Sequence, residues 1–398
     1  MDNYDIIIVG AGPIGSFLAE KLAKNNIHVG LYEEHATIGE PLHCAGLVTQ
    51  RVFDLSHCPT EGIIQNKIYG ATIHAPSGSS LTIGGDKTHG LVIDRQKFDE
   101  TLAHKAQSAG ANLLTEHKVL SAKQHNNHVT VETQKQNTTL SAQCNILIGA
   151  DGPHSLIRKH FQFPHPTEIL QGIGAELTDT ALDPRYVNIY VGHNIAPGFF
   201  AWVIPTNTQG TTARIGLCIG KHHTHPLQTY FNTLLQQKLL KDATIMKRYG
   251  GTIPLGPLKK TTGDNVMLVG DAAAQIKPTS GGGIYPGLIC AAQCAIVAQE
   301  AVQKQHYNEK FLSRYHTNWT KEIGKELSLG MRFRRLFTSF TDEQFNKYLQ
   351  KLNTKKTLDV INTYGDIDYP SRLAFPLLKT APSLLSLAPS LLRPRKKQ

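Results

Sequence analysis

The N-terminal part of the chain carries two hydrophobic patterns in succession. Residues 4–9 form a nearly continuous apolar run, which is typical of a strand inside a sheet. Phe17, Leu18 and Leu22 then recur at helical spacing, and residues 28–32 return to a short apolar run. This strand–helix–strand order predicts the opening unit of an α/β fold with a parallel sheet.

Short strands and one helix are predicted next, up to residue 149. Alternating runs over residues 67–93 predict strands, and residues 94–109 place Phe98 and Leu102 on one helical face. Residues 112–149 predict further strands, the last of which reads as buried.

Period-two alternation dominates the middle of the chain. It covers residues 186–191, 199–204 and 213–219, and it predicts adjacent antiparallel strands of a second sheet. A helix is expected at about 225–240, and residues 308–351 have a helical pattern.

Three segments with glycines or acids lie at the ends of predicted strands. The first is Gly10-Ala11-Gly12-Pro13-Ile14-Gly15, directly after the first strand, and the second is Glu33, at the end of the next. The third is Gly270-Asp271 after a strand at 265–269, followed by Gly281-Gly282-Gly283-Ile284 at a helix start. Together they predict one dinucleotide site spread over the chain.

The chemistry of each segment specifies FAD. The first glycines allow a tight turn, so that backbone amides and a helix N-terminus approach a pyrophosphate. Glu33 is placed to accept the ribose hydroxyls, and Asp271 to reach ribityl hydroxyls. The amides of residues 281–284 can approach the flavin edge where reduction builds negative charge.

Charge and length bound the remaining possibilities. The chain has 398 residues, which suits two lobes, and a net charge of +10 with pI about 9.2. Such charge favours an anionic partner, such as phospholipid headgroups or an acidic electron carrier, or serves only solubility. No nucleic-acid motif is present, so no nucleic-acid partner is expected.

Metal and disulfide chemistry are not expected. The six cysteines are widely spaced without a CxxC pair, and Cys290 and Cys294 suit helix packing in a reducing cytoplasm. The His222-His223-Thr224-His225 segment has no nearby carboxylate or cysteine at ligand spacing and is interpreted as a solvated loop. We also expect neither a signal peptide nor a membrane-spanning run.

The chain resembles the geranylgeranyl reductase family of flavoproteins over about residues 1–350. The resemblance rests on the segments above, on residues 38–48 with Cys44-Ala45-Gly46-Leu47, on Asp94-Arg95, and on Ala150-Asp151-Gly152. It implies an α/β fold like that of p-hydroxybenzoate hydroxylase, in which a Rossmann FAD-binding domain is interleaved with an antiparallel-sheet substrate domain. A helical C-terminal region follows.

The resemblance also implies an activity and a set of site residues. The activity is FAD-dependent saturation of C=C bonds in geranylgeranyl groups, as in archaeal membrane glycerolipids; a monooxygenase of the same fold is the alternative. The implied FAD-binding residues are Gly10, Gly12, Gly15, Glu33, Cys44, Ala45, Leu47, Arg95, Val119, Asp271, Gly283 and Ile284. Asp151 closes a turn beside the cofactor or caps a helix.

Substrate contacts and the proton path follow from the same resemblance. Residues 200–205 resemble the family's YxWxFP element and imply substrate contacts by Phe200, Trp202 and Pro205, although Phe200 and Ile204 depart from that pattern. Reduction of a C=C bond needs a hydride on one carbon and a proton on the other. Cys44 and Tyr285 are the candidate catalytic residues, with His43 and water left open.

The sequence also predicts the domain boundaries and the source of the electrons. Residues 1–166 and 245–305 form the FAD-binding lobe, with strands 67–93 contributing to the substrate side. Residues 167–244 form the substrate lobe and 306–398 the helical C-terminal region. Since the chain has one GxGxxG and no iron–sulfur motif, electrons must come from an external ferredoxin, a reduced deazaflavin or NAD(P)H.

The C-terminal tail combines leucines with basic residues. Nine apolar residues precede a basic terminus: Leu373, Phe375, Leu377, Leu378, Leu384, Leu385, Leu387, Leu391 and Leu392, then Arg393, Arg395, Lys396 and Lys397. The tail fits an anionic membrane surface, or a helix pair that covers the substrate lobe. The first alternative places a cytoplasmic protein at the inner face of the cell membrane.

Overall fold

A computed structural model describes residues 2–42 and 44–381, and its strands and helices are numbered here in chain order. The first sheet has eight strands, in the order β17-β18-β11-β1-β2-β8, with β10 on β11 and β9 on β10. They are β1 (Asp2–Val9), β2 (Val29–Tyr32), β8 (Asn112–Leu114), β9 (Lys118–Gln124), β10 (Val129–Lys135), β11 (Thr138–Gly149), β17 (Thr262–Gly263) and β18 (Val266–Leu268).

The centre of this sheet is parallel and buried on both faces. β1 pairs in parallel with β2 and β11, and β11 pairs in parallel with β18. Ile6, Ile7 and Ile8 of β1 are fully buried, as the continuous apolar run predicted. The carboxyl ends of β1, β2 and β11 therefore meet at one edge, where α/β folds bind ligands.

Helices α1 (Pro13–Ala23), α3 (Arg95–Ser108) and α6 (Ile284–Lys304) share one hydrophobic core with this sheet. Within the described part of the chain, α6 is the one helix long and apolar enough to cross a membrane by length and composition. However, 56% of its most apolar window is buried inside the protein, with Cys290 and Cys294 fully buried. Helix α6 is therefore a helix of the hydrophobic core.

The second sheet has seven strands, in the order β16-β12-β15-β14-β13-β5-β6. They are β5 (Gly70–His74), β6 (Ser80–Gly84), β12 (Glu168–Thr178), β13 (Tyr186–Tyr190), β14 (Ala201–Pro205), β15 (Ala213–Ile219) and β16 (Thr244–Leu255). All its pairs are antiparallel except β13 with β5. Because β16 runs to Leu255, this sheet extends past the lobe boundary expected at residue 244.

A small third sheet and short helices join these parts. The sheet has the order β3-β7-β4, with β3 (Leu47–Val48), β4 (Ile64–Ile68) and β7 (Gly90–Ile93). The short helices are α2 (Gln50–Ser56), α4 (Leu156–His160) and α5 (Leu227–Leu235). The helix expected at about 225–240 ends earlier, and a 3-10 turn follows at Lys238–Leu240.

The C-terminal region is helical, as its pattern predicted. It comprises α7 (Glu309–Trp319), a π-helical turn (Thr320–Gly324), α8 (Lys325–Phe337), α9 (Asp342–Leu352), α10 (Lys355–Tyr364) and α11 (Ser371–Thr380). The tail leucines and basic residues from position 382 onward lie outside the described residues.

Candidate functional site

A cleft of about 500 Å³ opens at the carboxyl ends of β1, β2 and β11. It is lined by Val9, Gly10, Ala11, Gly12, Pro13, Tyr32, Glu33, Glu34, His35, Gly39, Glu40, Pro41, Leu42, Cys44, Arg95, Asp99, His117, Lys118, Val119, Ala150, Asp151, Gly152, His154 and Leu156. The first glycine segment, Glu33, the Cys44 segment, Arg95 and Val119 are thus brought together from five parts of the sequence.

The three glycines of the first segment have different roles. Gly10 has φ +100°, and a Cβ there would lie 2.5 Å from the carbonyl oxygen of Ala150, so the turn requires glycine. A Cβ on Gly15 would overlap the Gly10 carbonyl, so Gly15 brings α1 close to the strand. Gly12 caps α1 with φ −63°, and a Cβ on it would meet nothing within 4 Å. The space beside Gly12 is therefore free for a phosphate at the helix N-terminus.

Glu33 is fixed at the end of β2. One carboxylate oxygen accepts a hydrogen bond from the Ala11 amide at 2.9 Å, and the other accepts from the His35 amide at 3.1 Å. The His35 ring lies 2.6 Å from the same carboxylate. Val119, at the start of β9, is nearly buried and forms the far wall of the cleft. The sequence did not predict His35, which no motif distinguishes from other surface histidines.

Asp151 lines this cleft and has one carboxylate oxygen without a hydrogen-bond partner among the described residues. Its Oδ2 accepts from the Ile157 amide at the start of α4 at 3.0 Å, while Ser155 is the N-cap of that helix. Its Oδ1 is buried and has no hydrogen-bond partner within the described part of the chain. Burial raises the pKa of this carboxyl. Asp151 therefore both caps α4 and lines the cleft, and its free oxygen fits a polar ligand group.

Cys44 and Arg95 meet on the opposite wall. Arg95 begins α3 and donates to Asp99 at 2.8 Å, and its guanidinium lies near the Cys44 thiol. The Gly46 amide donates to the Cys44 sulfur at 3.4 Å. Burial opposes the guanidinium charge, but Asp99 and Cys44 leave the pKa of Arg95 above its ordinary value. Arg95 was expected to bind FAD, and it lines the cleft together with Cys44.

Ala45 and Leu47 connect this wall to the second sheet. Both pack against the cluster that includes Ile204 and Trp202. The buried Arg214 of β15 donates to the Ala45 carbonyl at 3.3 Å. The segment after Cys44 is therefore held between the FAD-side core and the expected substrate wall.

Asp271 lies at the start of α6. It belongs to a 3-10 turn, Gly270–Ala273, and a Cβ on Gly283 would come 2.7 Å from its Oδ1. Burial raises the pKa of the Asp271 carboxyl to about 6, although the charge of Arg95 opposes the shift. Gly283 is the N-cap of α6, and Ile284 is its first residue. Asp271 and the N-terminus of α6 thus lie together, as the third segment predicted.

Tyr285 is in contact with Tyr369 and does not line the cleft. Its hydroxyl is hydrogen-bonded to the Tyr369 hydroxyl at 3.0 Å. The pKa of Tyr285 is raised, mainly by burial and secondly by this hydrogen bond. Among the described residues that line the cleft, Cys44 is present and Tyr285 is not. His43, the other alternative, lies outside the described residues.

The expected substrate residues divide into two groups. Phe200 and Trp202 pack edge to face with ring centroids 6.1 Å apart, in an apolar cluster with Ile253 and Met331. The Trp202 indole nitrogen is buried and has no partner among the described residues. Pro205 ends β14, where its carbonyl accepts from Asn66 at 3.0 Å, and it contributes to the strand rather than to this cluster.

Neither disulfides nor a metal centre occur in the described part of the chain. All six cysteines are free, and five of them are buried. No group of three histidine, cysteine or acidic residues there is arranged to hold a metal. The histidines at 222, 223 and 225 are exposed.

The fold and the cleft define a flavoprotein of the FAD-binding type. The family model described as "FAD binding domain" matches residues 3–317. The open space at Gly12, the fixed Glu33 carboxylate and the free Asp151 oxygen all fit FAD, which is the cofactor.

Relatives of the whole chain narrow this class. The digeranylgeranylglycerophospholipid reductase of Methanocaldococcus jannaschii is 30% identical over 91% of this chain and 93% of its own. That of Methanococcus aeolicus is 30% identical over 96% of each chain. A crystal structure of a geranylgeranyl bacteriochlorophyll reductase-like protein from Thermoplasma acidophilum superposes with TM-score 0.87 at 23% identity, covering 97% of this chain and 100% of that one. The chain therefore belongs to the digeranylgeranylglycerophospholipid reductase family of FAD-binding proteins.

Proposed function

We propose that the protein is an FAD-dependent reductase that saturates C=C bonds of geranylgeranyl groups, in archaeal-type membrane glycerolipids. The observation that carries this proposal is an apolar cluster with Phe200, Trp202, Ile253 and Met331, in which Trp202 also packs with Ala45 and Leu47 after Cys44. An apolar wall suits a prenyl chain, whose double bonds offer no polar group to hold. The relatives named as reductases of such lipids support the same substrate.

The chain's own residues supply binding, orientation and a proton. Bound FAD, once reduced by the external electron donor, would supply the hydride for one carbon of the double bond. Cys44, which lines the cleft together with Arg95, is the thiol placed to deliver a proton toward the other carbon. The N-terminus of α6 at Gly283 provides the positive end of a helix dipole for negative charge on the reduced cofactor.

Electrons come from outside the chain. The sequence has one dinucleotide fingerprint and no iron–sulfur motif, so ferredoxin, a reduced deazaflavin or NAD(P)H must dock transiently. The net charge of +10 favours an acidic carrier protein such as a ferredoxin.

Protein reduced with dithionite under anaerobic conditions should saturate double bonds of a geranylgeranylated diether lipid. The expected result is a mass gain of two hydrogens for each bond reduced and no label from molecular oxygen, measured by mass spectrometry. A hydroxylated product carrying oxygen label would assign the protein to the monooxygenases instead.

The role of Cys44 is tested by a conservative substitution. Cys44→Ser should retain FAD but slow reoxidation of the reduced protein by the lipid by roughly 10²-fold or more, the usual worth of a positioned proton donor. The matched control is Cys290→Ser, because Cys290 is fully buried in α6. Equal rates in the wild type and both variants would make Cys44 a packing residue.

Helix α11 supports a location at the membrane surface. None of its ten residues is buried, and Phe375 is 77% exposed. Tyr364 and Ile367 beside its start are also exposed. An apolar face next to the basic tail sequence suits the interface of an anionic bilayer, with the rest of the protein in the cytoplasm.

Phe375→Ser should weaken binding to anionic liposomes about 10-fold or more, because burying a phenylalanine contributes roughly 1.5–3 kcal/mol. Binding should be measured by sedimentation at low ionic strength, and added salt should release the wild type. Met246→Ser is the control, since Met246 is 67% exposed on β16. Equal binding of the two variants would place the membrane contact elsewhere.

A further inference from the structure

A buried carboxylate near the C-terminus holds together two distant segments of the chain. Asp368 is 1% exposed, and its Oδ1 accepts from the Lys277 ammonium at 2.6 Å. Its Oδ2 accepts from the Thr49 hydroxyl at 2.6 Å and from Arg51 at 3.0 Å. Both oxygens of this carboxylate are therefore satisfied by groups more than ninety positions away in sequence.

The surrounding residues fix Asp368 in place. Asp366 accepts from the backbone amides of Asp368 at 2.9 Å and Tyr369 at 3.2 Å, and also from Arg51 at 2.8 Å. The Tyr369 hydroxyl pairs with that of Tyr285 at 3.0 Å. We name residues 366–369 the C-terminal clasp, because they bind both α2 and the start of α6.

The two segments that the clasp joins each lie next to residues that the sequence predicts to bind FAD. Thr49 and Arg51 follow directly after the Cys44–Leu47 segment. Lys277 opens the glycine-rich loop, residues 277–283, which leads into α6. The clasp therefore spans from the wall that carries Cys44 to the loop that carries Gly283.

Lys277 determines the shape of that loop. Its carbonyl accepts from the Gly281 amide at 2.9 Å, and its amide donates to the Gly282 carbonyl at 3.2 Å. A Cβ on Gly282 would lie 2.9 Å from the Lys277 Cε and 3.3 Å from its Nζ. The ammonium thus lies directly against the loop, and its nearest anion is Asp368.

We propose that Asp368 is a positioning residue for the flavin site, which acts by holding Lys277 against the glycine-rich loop. Without the carboxylate, the Lys277 ammonium loses the anion that fixes it, so it becomes an unpaired cation and the loop that it contacts is held less tightly. The proposal rests on the FAD site of the proposed function, but it needs neither the lipid substrate nor the electron donor.

The test compares Asp368→Asn, Lys277→Gln and the double variant with Asp359→Asn as control. Asp359 is exposed on α10, so its substitution makes the same charge change in the same region. Two quantities are measured: the FAD dissociation constant of the apoprotein and the midpoint potential of the bound flavin.

Asp368→Asn should raise the FAD dissociation constant about tenfold or more, and the double variant should recover part of this loss because no unpaired cation stays buried. The two single variants should shift the potential in opposite directions. Removal of the carboxylate leaves a cation that favours the more negative, reduced flavin, and removal of the ammonium does the reverse.

Asp359→Asn should leave both quantities at the wild-type values. If Asp368→Asn and Lys277→Gln lower only the thermal midpoint, with FAD affinity and potential unchanged, Asp368 is structural and the proposal is overturned. If Asp368→Asn does not fold, the proposal is tested with Lys277→Gln and the double variant. The FAD dissociation constant and the flavin midpoint potential are measured in the same way. Failure of lipid reduction alone would contradict the proposed function and leave this inference standing.

Discussion

Gly12→Val should remove FAD from the protein while leaving the apoprotein folded. A Cβ on Gly12 meets no protein atom within 4 Å, and its φ of −63° is open to any residue. The added methyl groups therefore occupy the space at the N-terminus of α1 that a pyrophosphate needs. We expect FAD affinity to fall about 100-fold or more, which corresponds to roughly 2.7 kcal/mol.

The measurement is flavin content after purification, together with titration of apoprotein with FAD. Gly263→Ala is the control, because a Cβ on Gly263 makes only an ordinary contact at 3.7 Å with Phe163. Thermal melting of the apoproteins should be similar for both variants and the wild type. Full FAD occupancy in Gly12→Val would show that the cofactor phosphates lie elsewhere.

The sequence predicted the features that depend on local pattern. The apolar run of β1, the glycine turn after it and Glu33 at the end of β2 are set by residues close together in sequence. The α/β fold, the FAD cofactor and the membership of the geranylgeranyl reductase family are confirmed. Each of these rests on short motifs whose residues lie close together in sequence, although the motifs themselves are spread over the chain.

Contacts between distant segments were not predictable in this way. The pairing of Tyr285 with Tyr369 and the ion pair of Lys277 with Asp368 join positions separated by 84 and 91 residues. No periodicity encodes such contacts, since they depend on how α11 and its preceding loop dock on α6. Because the sequence does not reveal its contact with Tyr369, Tyr285 was predicted to be a candidate proton donor. That role stays a prediction.

Helix α6 begins where the sequence predicted a helix start. It runs from Ile284 to Lys304, directly after the three glycines. Its first turn includes Tyr285 and Pro286, and proline is well tolerated there because its nitrogen needs no partner. The position of this first turn matters for function, since it brings the helix N-terminus to Asp271.

The Asp271 carboxyl is expected to lower the stability of the apoprotein and to contribute to FAD binding. Its carboxyl has a pKa of about 6 in the folded protein, against an ordinary value of 3.8, because burial disfavours the charged form. The folded state therefore binds this proton more tightly than the unfolded state. Stability falls as the pH rises through the window between these values, and the penalty is complete above pH 6.

Asp271→Asn should accordingly make the apoprotein more stable at pH 8, by about 2 kcal/mol after allowance for partial exposure of the carboxylate. The difference should shrink on acidification and disappear below about pH 3, where the wild-type carboxyl is protonated in both the folded and the unfolded state. Urea unfolding of the two apoproteins at several pH values measures it. Asp242→Asn, at an exposed position, should show no such difference.

The same substitution should weaken FAD binding, since the carboxylate at the start of α6 is the group placed to accept hydroxyls of the cofactor. A gain in apoprotein stability together with a loss of FAD affinity is the signature of a group retained for binding. Equal stability of Asp271→Asn and wild type at pH 8 would mean that the folded protein already compensates the buried charge, with Arg95 as the nearest cation to do so.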